Sequence, residues 1–152
     1  MLRIFALLTV LLAGATVAGA ALAAEPEHGT RDQAVAMVKR VETMFQKVGA
    51  GATFKAITAR TFNDRDLYPF VYTLDGTDCV AHGANSAMVG KNLIGLKDQD
   101  GKFLIRELSE AAKKGGGWVD YKWPNPITKL IEAKSSYVER MGDFFVGVGV
   151  YR

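Results

Sequence analysis

A change of hydrophobic period partway along the chain constrains the fold more than any other feature. Ala34, Val35, Val38, Val41, Met44, Phe45 and Val48 recur at steps of three and four, the spacing that lines one face of a helix. From Leu67 onward the sequence turns to aromatic and β-branched runs separated by turn dipeptides, the pattern of strands joined as hairpins. One long amphipathic helix followed by hairpins reads as α+β, with an antiparallel sheet. A doubly wound parallel sheet is excluded, and neither G-x-G-x-x-G nor a P-loop occurs.

Local signals place the elements. Thr30-x-x-Gln33 is a capping-box pattern that opens the first helix. Gly49 or Gly51 ends it, and a shorter helix follows over 52–61. Strands over 67–74 and 77–82 flank the hairpin dipeptide Asp75-Gly76. A long polar connection, 83–99, leads to a helix over 102–114 that Gly115-Gly116-Gly117 stops. Strands over 118–123, 134–141 and 144–151 complete a sheet of about five strands with the long helix across one face. Gly147 and Gly149 alternate on the last strand and leave one face bare, which we read as room for close helix packing.

Apolar residues make up 49% of the 152-residue chain but are unevenly spread, since nineteen of the first 24 are apolar. Arg3, an apolar run over 4–12 and Ala21-Leu22-Ala23 together form a signal-peptide pattern. Cleavage after Ala23 or Ala24 is expected, leaving 25–152 as one domain in the periplasm. An uncleaved anchor is the alternative, but the continuous apolar core is shorter than the ~20 residues a spanning helix needs. The balance of 19 Lys+Arg against 16 Asp+Glu is too small and too dispersed for a nucleic-acid footprint. A single cysteine, Cys79, forbids an intrachain disulfide and sits in an apolar strand run with no histidine or second cysteine near it in sequence. Nothing in that setting supports a nucleophile, so no catalytic residue and no enzyme activity are assigned. With only His28 and His82 available, and with the Asp98-x-Asp100-Gly101 turn lacking the spacing of a calcium loop, neither a metal nor a cofactor is expected.

Residues that could carry ligand chemistry sit on or beside the strands. Strand alternation puts Val119, Tyr121 and Trp123 on one side and Trp118, Asp120 and Lys122 on the other. These aromatics either fill the core or wall a pocket for a small polar ligand. His82 ends its strand just before the long connection, where it is either structural or a hydrogen-bonding site residue. Lys134, Arg106 and Lys91 are the cations able to hold a carboxylate beside aromatic rings; each is otherwise a solvated surface charge.

One ordered series of motifs goes further. It runs through 68–74, Asp75-Gly76, Ala81-His82, Gly90-Lys91-Asn92, 98–106, Gly117-Trp118-Val119-Asp120-Tyr121-Lys122-Trp123-Pro124, Lys134-Ser135-Ser136-Tyr137-Val138 and Gly147-Val148-Gly149-Val150-Tyr151. This series resembles the single Cache domain, type 2, of bacterial chemoreceptors and sensor kinases, over about 32–152. The resemblance implies a PAS-like five-stranded antiparallel sheet behind a long N-terminal helix. It also implies a pocket for a small organic ligand, a short carboxylate or a similar small polar molecule, and a part in chemotaxis or signal transduction. Carried over position by position, the ligand-binding residues are His82, Arg106, Trp118, Tyr121, Trp123, Lys134 and Tyr137. Trp118 joins Tyr121 and Trp123 only if the strand bulges.

A receptor would continue into a transmembrane helix and signalling module, whereas this sequence closes at Arg152. The expectation is therefore a free-standing secreted binder that acts by reversible binding or presents its ligand to a separate membrane receptor or kinase. An adaptor or structural periplasmic protein with no small-molecule ligand is the alternative. Arg31, Lys39, Glu42 and Gln46 face away from the sheet and are polar, which favours a monomer or weak homodimer.

Overall fold

The computed structural model describes residues 28–152. The expected leader, 1–24, and its cleavage point lie outside the described residues. Helix α1 spans Arg31–Thr58 and opens on the expected capping box: the Thr30 hydroxyl accepts from the Gln33 N–H, and the Gln33 side chain accepts from the Thr30 N–H at 2.9 Å. Gly49 breaks it, with φ 79° and ψ 177°, a conformation open to glycine alone. The two helical stretches anticipated from the sequence are the two arms of this kinked element.

Five strands follow: β1 Pro69–Thr73, β2 Cys79–His82, β3 Gly117–Pro124, β4 Ile131–Met141 and β5 Phe144–Tyr151. They form one sheet in the order β2-β1-β5-β4-β3, and every neighbouring pair is antiparallel. Three of the four pairings are hairpins. The fourth, β1 with β5, closes the sheet by joining its first and last strands. A single 3-10 turn, Ser86–Met88, and helix α2, Leu104–Lys113, occupy the connection between β2 and β3.

Each face of the sheet carries its own core. Val146, Val148 and Val150 of β5 join Val71, Ala81 and the α1 residues Ala34, Met37, Val38, Val41 and Ile57 in one apolar cluster. Tyr68, Phe70, Tyr72, Phe145 and Tyr151 join Leu104, Ile105 and Leu108 of α2 in the other. Full burial of each such aliphatic side chain contributes roughly 1.5–3 kcal/mol, so α2 is held by its inward row.

The glycines of β5 correct one expectation. A Cβ on Gly149 would collide with Lys134 Cε and Ser136 Oγ, and one on Gly147 with the Phe70 ring. Strand alternation puts both on the α2 side, opposite the valines that meet α1. The bare face admits side chains from the flanking strands, and no helix packs closely there.

Candidate functional site

Between α2 and the sheet lies a narrow cavity of about 10 Å³ lined by Tyr68, Phe70, Tyr72, His82, Leu104, Ile105, Leu108, Tyr121, Trp123 and Lys134. That is about the room one water needs, far below the roughly 300–1,000 Å³ of drug-sized sites, so a larger occupant has to part the lining side chains. An outer pocket of about 250 Å³, with Asn85, Pro124, Asn125 and Lys129 in its wall, shares Tyr68, His82 and Trp123 with it. Trp123 is half-buried and stands where the two spaces meet.

Lys134 is the chemical centre of this cavity. It is 0% exposed, because alternation along β4 turns it inward and Gly149 clears space for its stem. Its Nζ donates to the Tyr68 hydroxyl at 2.7 Å and stands 4.0 Å and 4.7 Å from the centres of the Tyr68 and Tyr151 rings. Among the described residues no carboxylate pairs with it. The nearby buried carboxylate of Asp66 accepts instead from the Gly29 N–H at 2.8 Å and meets His28 Nδ1 at 2.7 Å. Burial therefore holds the Lys134 amine well below its ordinary pKa of 10.5, offset only in part by the field of Asp66.

The neighbouring groups are fixed in their protonation. His82 is buried, and its Nδ1 accepts from the backbone N–H of Ala84 at 3.1 Å and of Asn85 at 3.0 Å. Two donors on Nδ1 place the ring proton on Nε2. Burial, with a smaller contribution from the charge of Lys134, pushes the imidazole down to about 3, so it is neutral at any physiological pH. The Tyr121 hydroxyl bonds the Ser136 hydroxyl at 2.8 Å, and burial pushes it well above the ordinary phenol range. Burial shifts Tyr68 the same way. The result is one buried amine among neutral rings and hydroxyls, with donors but no anion. Such a cavity can accept a small anion and has no group arranged as a nucleophile with its base.

Of the residues singled out from the sequence, His82, Tyr121, Trp123 and Lys134 come together here. Trp118 and Tyr137 do not. Their rings pack on each other at 5.4 Å on the α1 side, with the Arg31 guanidinium 3.9 Å over Trp118. Arg106 is exposed on α2 with its guanidinium 4.3 Å over the Phe103 ring, and Lys91 is exposed in the long connection. Strand β3 has no bulge against β4, so nothing swings Trp118 round to join Tyr121. Sequence reasoning passed over Tyr68, Phe70, Tyr72 and Tyr151, although the first three alternate on one strand face.

A helix-backed antiparallel sheet with a small closed cavity on its far side defines a ligand-sensing domain of PAS-like class. The Cache domain family model matches residues 34–152, and the chain belongs to that family. It is 37% identical to the sensor histidine kinase MctS of Rhizobium johnstonii over 118 residues, 73% of this chain and 25% of the kinase. It is 31% identical to the methyl-accepting chemotaxis protein McpP of Pseudomonas putida over 91 residues, 58% of this chain and 16% of the receptor. This chain thus spans a quarter or less of the length of these curated relatives. Among solved structures, a methyl-accepting chemotaxis protein from Vibrio parahaemolyticus superposes with a TM-score of 0.71 at 26% identity, covering 79% of this chain and 86% of that one. A Cache chemosensory domain studied for carboxylic acid recognition shares the fold, with a TM-score of 0.61 at 24% identity over 79% of this chain and 86% of that one. Cache sensor domains of such receptors and kinases are sensory modules. Among the described residues no helix is long and apolar enough to cross a membrane.

Proposed function

We propose that this chain is a periplasmic sensing domain that binds a short monocarboxylate reversibly, with Lys134 as the residue that neutralises it. One observation carries the reading. A lysine is fully buried against a narrow cavity with aromatic walls and without an acidic hydrogen-bond partner among the described residues. Burying a lone cation is costly, and an incoming carboxylate offsets that cost with a charge-assisted hydrogen bond. His82, through Nε2–H, is the second donor; Tyr121 and Trp123 complete the wall. A short alkyl group would face the apolar row Leu104, Ile105 and Leu108, which offers no partner for a second charge.

In this reading residues 1–24 are a cleaved signal peptide, 25–152 a single Cache domain, and the domain a monomer or weak homodimer. It passes its occupancy to a receptor or kinase and turns nothing over. The deciding experiment is a thermal-shift screen with acetate, propionate, pyruvate and lactate on the wild type and on Lys134→Met. A ligand at 100 times its Kd stabilises by about 2.7 kcal/mol. Stabilisation of the wild type and none of the variant supports the reading. Equal stabilisation of both removes Lys134 from the site, and no response to any of the four favours an adaptor without a ligand.

A further inference from the structure

The hydroxyls around Lys134 have a fixed direction. The Tyr151 hydroxyl donates its one proton to the Pro124 carbonyl at 2.8 Å, an atom that can only accept. The bond between the Tyr151 and Tyr68 hydroxyls, 3.1 Å, must then be donated by Tyr68. Tyr68 has no second proton, so toward Lys134 Nζ, 2.7 Å away, it presents lone pairs only. A chain anchored on the last residue of β3 thus ends in an acceptor aimed at the amine.

We propose that carboxylate binding takes up a proton onto Lys134, and that Tyr151 is the positioning residue that keeps Tyr68 turned to receive the resulting ammonium. This deepens the function proposed above and rests on it. The groups facing the amine from each packed element put no carboxylate in contact with it, and only the field of Asp66 reaches it. Asp66, ahead of β1, is engaged with Gly29 and His28. From β1 and its approach come Tyr68, Phe70 and Tyr72, from β2 the neutral His82, from β3 Tyr121 and Trp123, from β5 Tyr151, and from α2 only the apolar Leu104, Ile105 and Leu108.

An empty cavity therefore disfavours the ammonium, and a carboxylate in it favours the ammonium. The proton comes from solvent, or from the acid itself if it enters neutral, and no covalent bond changes. Affinity is then full below the pKa of Lys134 in the empty domain and falls about tenfold per pH unit above it. Loss of the Tyr151 hydroxyl frees the Tyr68 proton to turn toward Nζ. As a donor to the amine, Tyr68 stabilises the neutral form and opposes the uptake.

The test is isothermal titration calorimetry with acetate and propionate, each in two buffers of different ionisation enthalpy, across pH 6 to 9. The wild type should take up a proton, approaching about one per ligand as pH rises, with Kd weakening in step. Tyr151→Phe should move the pH midpoint down by about one unit, a roughly tenfold loss of affinity on the alkaline side. Tyr68→Phe, which removes the acceptor itself, should move it the same way and serves if Tyr151→Phe does not fold. Binding with no proton uptake overturns the proposal and leaves the carboxylate site standing. Proton uptake with an unmoved midpoint in the folded variant removes Tyr151 from it. Failure of the wild type to bind either acid at any pH overturns the site and the proposal together.

Discussion

Acidification reads the burial of His82 directly. Its folded-state pKa is lowered to about 3 against 6.5 when free, so between those values the unfolded chain binds a proton that the folded chain refuses. Stability contributed by the neutral ring is therefore complete above pH 6.5 and is lost as pH falls toward 3. From pH 7 to pH 5 the loss is about 2 kcal/mol, rising to about 3 kcal/mol at pH 4. His82→Asn isolates this contribution, because the asparagine Oδ1 can take the place of Nδ1 as acceptor for the Ala84 and Asn85 N–H groups but does not titrate. The variant starts lower, having lost ring contacts at 5.3 Å to Tyr68 and 6.3 Å to Phe70. Its fall between pH 7 and 5 should nevertheless be smaller than the wild type's by about 2 kcal/mol. Urea unfolding followed by tryptophan fluorescence at the two pH values measures both slopes. Equal acid losses in wild type and variant would refute the argument that His82 is buried as the neutral imidazole.

Lys134→Met should raise the stability of the ligand-free domain at pH 7 by about 1–3 kcal/mol, since it exchanges a desolvated amine for an apolar side chain. That advantage shrinks as pH climbs toward 10.5, where the unfolded wild type also loses its proton; denaturant midpoints at pH 7 and 10 check it. Cys79, pushed up to about 11 by burial, should stay unlabelled by a thiol reagent at pH 8 until the domain is unfolded, as mass spectrometry would show. Tyr137→Phe should leave carboxylate affinity within about twofold, because its hydroxyl bonds Glu139 on the α1 side. Gly149→Ala should cost about 1–3 kcal/mol by displacing the Lys134 stem. The same change should cost less in a Lys134→Ala background, and strict additivity in that double-mutant cycle would sink the contact.

Much of the architecture was legible because its signals are local. A capping box, a glycine break, an Asp-Gly turn and a glycine stop each act within a few residues, and each sits where the structure uses it. Helix α2 begins at Leu104, two residues after its expected start, because Asp98 captures the N–H groups of Asp100 and Lys102 in the preceding turn. The strand order was not legible. β1 lies beside β5, more than seventy residues away, and nothing within either strand specifies that partner.

For the site, periodicity carried more information than the motif series it was read with. Lys134 and Tyr137 are three positions apart on β4, and a strand of period two puts such residues on opposite faces. The same count keeps Trp118 away from Tyr121. On α2, the inward row Leu104, Ile105, Leu108 and Ala112 leaves Arg106 nowhere to point but out. What periodicity alone could not supply is the approach of strand ends from distant parts of the chain. Tyr68 stands just before β1, and Tyr151 closes β5 opposite Lys134; they meet only once β5 has slotted between β1 and β4. The cage around Lys134 is therefore a consequence of the one long-range pairing in the sheet. A change that loosens the β1–β5 pairing should disperse the cage before it exposes the core against α1.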